Sequence, residues 1–516
     1  MKKIENLIEE KYKIIVLIIL IVGILLRFVA IDKVPIGIHV DEAGMAYDAY
    51  CIANYGTDRY DNPNPIYMIN YGGGQSSLYT YLAAILIKIF GFSLFIVRMP
   101  AFLFSALYII IAYLITRQFK SKKLAILVEF LIVICPWHFM QSRWGLDCNL
   151  MSSLMLLSIY LLLNAKKNIH YILSGISFGI TLYSYAISYL IIPVFLILIL
   201  GYLLYIKKIK IKNIILLGIP IIILAIPLIL NLLVNKKIIE PINLGFISMP
   251  RLWYYRGREI SIKNIPSNLI GLLKTILSYD HNDFNAFKAF GTLYYISIPF
   301  CIIGFIKTIK DSIKNIKQKE KSIDIVMIII FICVYSCLLL FEGQAVYKAN
   351  SIYISLIYFI AIGIKTITKN IKSLKYGIIC FYIIMFIVFE VYYFGGYGKI
   401  NPNWSFNNDT IEVTQYLEEK YKDKIIYIRT TAIQPYLYTL LGDDISPKEF
   451  MNNHTRIAGT IKSYDRYHFL LPKEIKYDIV WVMKIPEFAD ENLYEELRNE
   501  NYKEEIYKDQ YIIFYK

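Results

Sequence analysis

The sequence has little charge for its length. Lys, Arg, Asp and Glu make up 18% of the 516 residues, whereas 57% are hydrophobic. A soluble globule of this size needs more polar surface, so this composition excludes that class and indicates a polytopic membrane protein. Acidic residues are scarcer than basic ones, 40 against 55. Because the lysines stand in short segments between apolar runs, the positive charge is typical of membrane topology, and we expect no nucleic-acid partner.

Cysteine and histidine are too few and too scattered for several kinds of site. Most of the 7 cysteines lie inside apolar runs, and neither a disulfide framework nor a zinc spacing is present. No local motif joins a Ser or Cys nucleophile to a His. We therefore predict no resident cofactor, and keep a divalent metal as an alternative. The candidate ligand groups are His39 with Asp41 and Glu42, and His281 with Asp280 and Asp283.

What the sequence does contain is a series of long apolar runs. A span needs about 20 apolar residues, and Lys and Arg concentrate on the cytoplasmic side. The run at 76–90 is short, contains Lys88 and has glycines at both ends, so we predict an interfacial helix on the outer surface. The amino terminus is then inside and the carboxyl terminus outside. The eleven predicted spans are residues 14–31, 94–116, 124–141, 149–165, 171–187, 188–206, 213–234, 291–309, 323–341, 350–367 and 375–396.

Near residue 401 the composition becomes charged and rich in tyrosine. Strand-like runs at 424–429, 477–483 and 510–515 alternate with helix-like ones such as 410–421, which Asp409 or Thr410 could cap. We therefore predict an all-α polytopic membrane domain at 1–400, with external loops at 32–93 and 235–290. A small extracytoplasmic α/β domain is predicted at 401–516.

Several polar groups fall on the same predicted side of the membrane. An external cavity with carboxylates on one wall and cations on another would suit a substrate that carries a phosphate and a hydroxyl to be deprotonated. The groups are the acidic pair Asp41 and Glu42, then Arg143 and Asp147, the loop residues Arg251, Arg256 and Arg258, and Lys348 at the end of the ninth span.

Each of these groups also has a structural interpretation. The acidic pair could be an ordinary solvated loop. Arg143 and Asp147, spaced i and i+4, could simply pair on a helix end. The arginines of the long loop could meet anionic lipid headgroups, and Trp253 with the two tyrosines after it could form an aromatic belt instead of stacking on a sugar.

The order of the motifs resembles the GT-C membrane glycosyltransferases that use polyprenyl-phosphate sugars. That group contains the protein O-mannosyltransferases and the lipid A aminoarabinose transferase. The resemblance covers most of residues 10–400. The matching segments are Asp41-Glu42 with Ala43, YGTDRY at 55–60, GGGQSSLYTYL at 72–82, IFGFSLFIVRMPAF at 89–102, SRWGLD at 142–147 and YKANSIYISLIYFIAIGI at 347–364.

This resemblance implies glycosyl transfer from a polyprenyl-phosphate sugar to an acceptor hydroxyl on a lipid, a wall polymer or a protein. It implies that Asp41 is the general base, that Glu42 supports it and that Asp147 belongs to a second acidic site. A single displacement would invert the anomeric centre. We expect a multi-pass protein of a bacterial plasma membrane, in contact with membrane lipids, with its active site outside the cytoplasm.

The resemblance also implies cationic residues for the donor phosphate. They are Arg143, Arg256, Arg258 and Lys348, and Gln75 and Tyr79 complete the predicted binding residues. Relatives tend to have Arg where this chain has Lys348. A lysine can hold a phosphate as a point charge but lacks the bidentate fork of arginine.

Two other classes compete with an enzyme. A transporter or flippase of lipid-linked sugars would place ionisable residues near the bilayer midplane, whereas the predicted spans are nearly free of them, with Glu129 as the main exception. A scaffold for wall assembly that presents its C-terminal domain would have no use for an acidic pair.

Overall fold

The computed structural model describes residues 10–70, 73–254, 259–278, 284–397, 406–443, 445–457, 460–470, 475 and 478–516. These residues fall into two compact units. The first is drawn from Met1–Ile31, Arg98–Ile229 and Arg256–Gly396, and the second from Asp32–Val97, Leu230–Tyr255 and Tyr397–Lys516. Each unit is therefore assembled from segments that are far apart in the chain.

The described part of the chain is mostly helical. In chain order the α-helices are α1 (Tyr12–Phe28), α2 (Val40–Tyr55), α3 (Leu78–Phe90), α4 (Leu94–Phe119), α5 (Lys122–Ile134), α6 (Pro136–Gln141), α7 (Cys148–Asn164), α8 (Asn168–Leu182), α9 (Ser188–Tyr205), α10 (Ile211–Asn235), α11 (Ile265–Leu277), α12 (Ser297–Lys317), α13 (Ile323–Leu338), α14 (Tyr353–Ile367), α15 (Lys372–Val391), α16 (Asp409–Lys420), α17 (Pro435–Gly442), α18 (Pro447–Asn453) and α19 (Glu491–Asn499). Short 3₁₀-helices lie at Ile262–Asn264 and Val346–Ile352, and a π-helical turn at Tyr392–Tyr397.

The strands are short outside the carboxyl-terminal segment. They are β1 (Ile38–His39), β2 (Tyr67–Met68), β3 (Gln75–Ser76), β4 (Ile242–Asn243), β5 (Ser248–Met249), β6 (Phe406–Asn407), β7 (Ile425–Arg429), β8 (His454–Ile457), β9 (Thr460–Tyr464), β10 (Tyr467–His468), β11 (Ile479–Lys484), β12 (Lys503–Tyr507) and β13 (Tyr511–Tyr515).

Every predicted span overlaps one or two helices. Among the described residues, five helices are long and apolar enough to cross a membrane: Leu94–Phe119, Ser188–Tyr205, Ile211–Asn235, Val346–Ile367 and Ser373–Gly396. Shorter apolar helices lie at Leu78–Phe90, Cys148–Asn164 and Ile323–Leu338. The first of these is the run predicted to lie along the membrane surface. The number of spans and the side on which each loop lies stay predictions.

The predicted span at 124–141 is not one continuous helix. Helix α5 ends at Ile134, and α6 begins with Pro136 in its first turn. Proline has no N–H to donate to the preceding turn, and its ring fits only the start of a helix. The apolar run therefore continues where the helical hydrogen bonding stops.

Two glycines set the packing of α12 against α14 in the first unit. A side chain on Gly304 would overlap the carbonyl oxygen of Phe359, and one on Gly363 would overlap that of Phe300. The two backbones are therefore in direct contact. Small residues at such a crossing are typical of helices that pack without a hydrophobic driving force in lipid.

A buried carboxylate also ties several elements of the first unit together. Asp324 in the first turn of α13 is completely buried. Lys120 Nζ lies 2.6 Å from one of its oxygens, and the hydroxyl of Tyr358 on α14 donates to the other at 2.6 Å. The charge of Asp324 is thus paired and hydrogen-bonded, as a buried charge requires.

The second unit contains a seven-stranded mixed sheet with the order β12-β13-β11-β7-β10-β9-β8. The central pairs β11–β7 and β10–β7 are parallel, and the others are antiparallel. The predicted strands at 424–429, 477–483 and 510–515 are β7, β11 and β13. The predicted helix at 410–421 is α16, but its N-cap is Asn408, not Asp409 or Thr410. Asn407 Oδ1 accepts the N–H of Thr410 instead.

The carboxyl-terminal segment packs with the segment that contains the acidic pair. Strands β1 and β6 pair antiparallel, with Ile38 opposite Asn407 and His39 opposite Phe406. The hydroxyl of Tyr47 donates to the carbonyl of Ile445 at 2.8 Å. The two segments thus belong to one compact unit, whereas the change in composition predicts a separate carboxyl-terminal domain. That division at residue 400 stays a prediction.

Candidate active site

The acidic pair opens helix α2 in place of the solvated loop that was the structural alternative. The N–H of His39 donates to Glu42 Oε2 at 3.3 Å, and the N–H of Asp41 donates to His39 Nδ1 at 3.2 Å. Reciprocal bonds of this kind satisfy backbone donors that a helix start leaves free, and the helix dipole favours negative charge there. Glu42 is completely buried, whereas the side chain of Asp41 is 37% exposed. Asp41 is therefore the member of the pair that a substrate can reach.

His39 is held neutral beside this pair. Burial lowers the pKa of His39, and the nearby carboxylate of Asp41, 3.9 Å from Nδ1, only partly offsets that effect. Its Nδ1 already accepts a backbone N–H, so the ring proton is on Nε2. Within the described ranges, no three His, Cys, Asp or Glu side chains form a group that could hold a metal ion. The alternative group around His281 lies outside the described residues.

An amide pair lies against the exposed carboxylate. Asn70 Nδ2 donates to Asp41 Oδ1 at 3.4 Å and to Gln75 Oε1 at 2.9 Å. Asn70 Oδ1 accepts from the guanidinium of Arg59 at 3.2 Å, which fixes the orientation of the amide. Gln75, predicted to bind substrate, is therefore buried in the same polar cluster as Asp41.

A buried ion pair completes this cluster, and sequence reasoning missed it. Arg59 Nη2 lies 2.9 Å from Asp48 Oδ2, and the backbone N–H of Arg59 donates to the other oxygen at 3.1 Å. Both side chains are buried. Burial alone would lower the pKa of Arg59, but the carboxylate of Asp48 raises it above the ordinary value. Arg59 therefore stays charged and holds Asn70 in place.

Gly44 makes room for this arrangement on α2. A side chain at that position would overlap Asn70 Oδ1 and crowd the guanidinium of Arg59. The signals in the sequence were the spacing of Asp48, two helical turns after Asp41, and the Asp58-Arg59 motif within YGTDRY. Neither one alone indicates a contact between them.

Asp58 is a second buried acid in the loop after α2. It accepts the backbone N–H groups of Tyr60 and Asn62, both at 2.9 Å. Burial, together with the negative charge of Asp48, raises the pKa of Asp58 to about 7, although these hydrogen bonds act against the rise. Asp58 shapes the turn that presents Arg59.

The predicted residues of SRWGLD belong to the first unit and have local roles there. Arg143 donates to the carbonyls of Leu26, Arg27, Val29 and Ala30 at 2.8–3.1 Å, so its guanidinium caps the end of α1. Asp147 precedes α7 and accepts the N–H of Cys148. Residues 142–147 form turns and not a helix, so the i, i+4 argument for an Arg143–Asp147 pair does not apply.

The remaining predicted residues are placed in three different settings. Lys348 lies in the 3₁₀-helix before α14, and Nζ donates to the carbonyls of Glu342 and Gly343. The hydroxyl of Tyr79, in the second unit, donates to the carbonyl of Val97, and its ring is completely buried. Arg256 and Arg258 lie outside the described residues.

Comparisons with known proteins bear on this arrangement. Residues 75–231 match the family described as dolichyl-phosphate-mannose-protein mannosyltransferase. The structure of ArnT from Cupriavidus metallidurans bound to undecaprenyl phosphate is similar to this one. The alignment covers 97% of this chain and 97% of the ArnT chain, with a TM-score of 0.54 and 9% sequence identity. Its apo state gives a TM-score of 0.55 with the same identity and coverage. No curated protein matches the chain in sequence.

The archaeal oligosaccharyltransferase AglB from Archaeoglobus fulgidus, in complex with an inhibitory peptide and a dolichol-phosphate, is also similar. The alignment covers 80% of this chain and 59% of the AglB chain, with a TM-score of 0.45 and 13% sequence identity. The fold is shown by the ArnT structures, which match along almost the whole chain. The resemblance inferred from the sequence motifs is thus confirmed: in the sequence of residues 75–231 and in its fold, the chain is similar to GT-C membrane glycosyltransferases.

Proposed function

We propose that this protein transfers a sugar from a polyprenyl-phosphate donor to an acceptor hydroxyl, with Asp41 as the general base. The observation that carries the proposal is the division of the acidic pair. Asp41 is partly exposed and is oriented by Asn70, whereas Glu42 is buried in the helix cap. A base must be reachable by the proton that it removes, and Asp41 meets that condition.

The donor class rests on similarity. The ArnT structure with the same fold contains undecaprenyl phosphate, and the matched family is described by its use of dolichyl-phosphate-mannose. In the proposed reaction, Asp41 takes the acceptor proton, and the acceptor oxygen forms a bond to the anomeric carbon. The bond from that carbon to the phosphate oxygen breaks, and polyprenyl phosphate leaves with inversion. Cations such as Lys348, Arg256 or Arg258 would stabilise the leaving phosphate.

The proposal also assigns supporting roles and a location. Glu42 holds the start of α2 through the N–H of His39, and so positions Asp41. Asp147 and Arg143 are proposed as a second polar site on the first unit. The active site and the carboxyl-terminal segment are proposed to lie outside the cytoplasm of a bacterial cell, in a multi-pass plasma-membrane protein.

A flippase of lipid-linked sugars is the second candidate, and one observation favours it. Glu129 on α5 is buried, and its Oε2 has no hydrogen-bond partner among the described residues. Unsatisfied acids inside a bundle are typical of transport pathways. A flippase moves the intact lipid-linked sugar, whereas an enzyme releases free polyprenyl phosphate.

The test uses the purified protein with a polyprenyl-phosphate hexose and a panel of acceptors. Release of polyprenyl phosphate is measured for the wild type, Asp41→Asn and Glu129→Gln, with thermal melting of each. Loss of a general base costs about 10²–10⁴ in rate, so we expect Asp41→Asn to fall by that factor and Glu129→Gln to stay near wild type. Equal release by Asp41→Asn and wild type would overturn the role of Asp41. Movement of intact donor without release would favour the flippase.

A further inference from the structure

A cavity of about 580 Å³ lies within the second unit. Its walls come from all three segments of that unit, and include Tyr60, Ile69, Arg251, Trp253, His454 and Arg456. Pockets of this size suit a small ligand and combine apolar walls with a few polar groups. The reaction proposed above assigns no role to the residues that line this cavity.

The aromatic wall is built around Trp253. Its ring packs on that of Tyr60 with centroids 5.2 Å apart, and the guanidinium carbon of Arg456 lies 4.3 Å from its centroid. These contacts hold the indole of Trp253 in a fixed position in the second unit. A rigid indole offers a flat apolar surface to a ligand at little cost in conformational entropy.

The cationic wall is formed by Arg251 and Arg456. Arg251 Nη2 donates to the carbonyl of Ile239 at 3.3 Å and to Glu240 Oε2 at 3.2 Å. Its Nε is buried and has no hydrogen-bond partner among the described residues. Arg456 is exposed, lines the cavity and stacks over the indole of Trp253. None of the described residues that line the cavity is acidic, so the cavity favours an anion.

His454 adds a hydrogen-bonding group to the cavity. Its Nδ1 lies 3.2 Å from the carbonyl of Phe450 and 3.1 Å from that of Met451. A carbonyl can only accept, so Nδ1 carries a proton and donates it there, and Nε2 is the ring nitrogen left for a ligand. A free ring nitrogen beside two guanidinium groups and an indole suits a ligand that has hydroxyl groups as well as negative charge.

The cavity shares its wall with the cluster around Asp41. Ile69 lines the cavity, its carbonyl accepts from Arg59 at 3.2 Å, and the next residue, Asn70, donates to Asp41. We propose that the cavity binds the acceptor of the transfer, as a saccharide that carries a phosphate or carboxylate. Its sugar ring contacts Trp253, and its anionic group is bound by Arg251 and Arg456. This inference rests on the proposed function and names the acceptor class.

The first experiment measures binding without any donor. Glucose 6-phosphate, glucuronate, glucose and inorganic phosphate are titrated by saturation-transfer NMR against the purified full-length protein in detergent. We expect both anionic sugars to bind the wild type more tightly than glucose or inorganic phosphate. Arg456→Ala should weaken their binding about ten-fold or more, the usual loss for a charge-assisted hydrogen bond. Trp253→Ala should remove the preference for glucose 6-phosphate over inorganic phosphate.

Two further variants keep this test decisive. Arg498→Ala removes an exposed arginine that pairs with Glu504 elsewhere in the unit, and should leave binding unchanged. Arg251→Lys keeps the positive charge of the cationic wall and should bind the anionic sugars more weakly than wild type, because lysine lacks the bidentate fork of arginine. Equal binding by the wild type and Arg456→Ala, or inorganic phosphate binding as tightly as the sugar phosphate, would overturn the proposal.

A second measurement separates this inference from the proposed function. In the transfer assay, Arg456→Ala should raise the KM for an anionic acceptor about ten-fold with little change in kcat. Transfer with an unchanged acceptor KM in that variant refutes the cavity assignment and leaves the function standing. Absence of transfer by the wild type, with tight and Arg456-dependent binding of the anionic sugars, refutes the function and leaves an anionic-sugar site.

Discussion

Arg59 and Asp48 form an ion pair of 2.9 Å that is inaccessible to water, with both partners on the segment that also contains the proposed base. The guanidinium of Arg59 also donates a hydrogen bond to Asn70 Oδ1, and Asn70 Nδ2 in turn donates to Asp41. The orientation of an exposed catalytic candidate thus depends on a charge pair behind it.

Removing one partner of this pair should destabilise the protein strongly. Arg59→Ala leaves the carboxylate of Asp48 buried and uncompensated, which typically costs about 3–5 kcal/mol. We expect a large drop in melting temperature in detergent. The double variant that combines Asp48→Leu with Arg59→Met should lose less stability than the summed losses of Asp48→Leu alone and Arg59→Met alone. Additive losses would show that the two side chains do not stabilise each other.

The raised pKa of Asp58 predicts a dependence of stability on pH. Its pKa is about 7 in the folded protein and near 3.8 when unfolded. Between these values the folded state holds a proton that the unfolded state has released, so this contribution to stability is complete below about pH 4 and is lost as the pH rises through 7. Wild type should therefore lose melting temperature from pH 5 to 8 relative to Asp58→Asn. Asp61→Asn, an exposed neighbour, should follow the wild type.

Lys348 tests the predicted phosphate contact. Lys348→Ala should weaken donor binding by about 1.5–3 kcal/mol, and Lys348→Arg should bind at least as well as wild type because the guanidinium fork suits a phosphate. Binding of a polyprenyl-phosphate sugar is measured alongside melting, since Lys348 also holds the carbonyls of Glu342 and Gly343. Lys263→Ala is the matched exposed control. Normal binding by the alanine variant would move the contact to Arg256 or Arg258.

Arg143 separates a capping role from a binding role. Its bonds to four carbonyls at the end of α1 predict that Arg143→Ala lowers stability, because one charge-assisted bond is worth about 1.5–3 kcal/mol. Arg143→Lys should recover only part of the loss, since lysine cannot reach several carbonyls at once. Unchanged melting with weaker donor binding would instead support the phosphate role that the resemblance implied.

The topology has its own test. The second unit unites residues 32–97, 230–255 and 397–516, so an even number of spans must separate these segments. Six predicted spans separate the first two segments and four separate the last two, so the prediction satisfies this condition. Reporter fusions after Lys123 and Lys212 should report cytoplasm, and one at Lys516 the exterior. A cytoplasmic carboxyl terminus would contradict the predicted arrangement.

Apolar runs and alternation were enough to predict most helices and the strands β7, β11 and β13, because those patterns are local. Helix α2 lies within the predicted external loop 32–93 and was missed, because its N-cap is His39, a residue type that rarely caps a helix. The Asp48–Arg59 pair was missed because the two residues meet across the left-handed turn at Gly56, and no periodic spacing encodes that approach. The different burial of Asp41 and Glu42 was missed for the same reason as the helix, because it follows from the cap at His39.

The contact of Gly304 with Phe359 and of Gly363 with Phe300 has a mechanical consequence. What blocks a larger residue at either glycine is main chain, which cannot rotate aside as a side chain can. Shrinking a neighbouring residue would therefore not compensate for a substitution there. Helices α12 and α14 are held at their closest approach at this point, so it can act as a pivot. Relative motion of the two helices is then limited to rotation or sliding about that crossing.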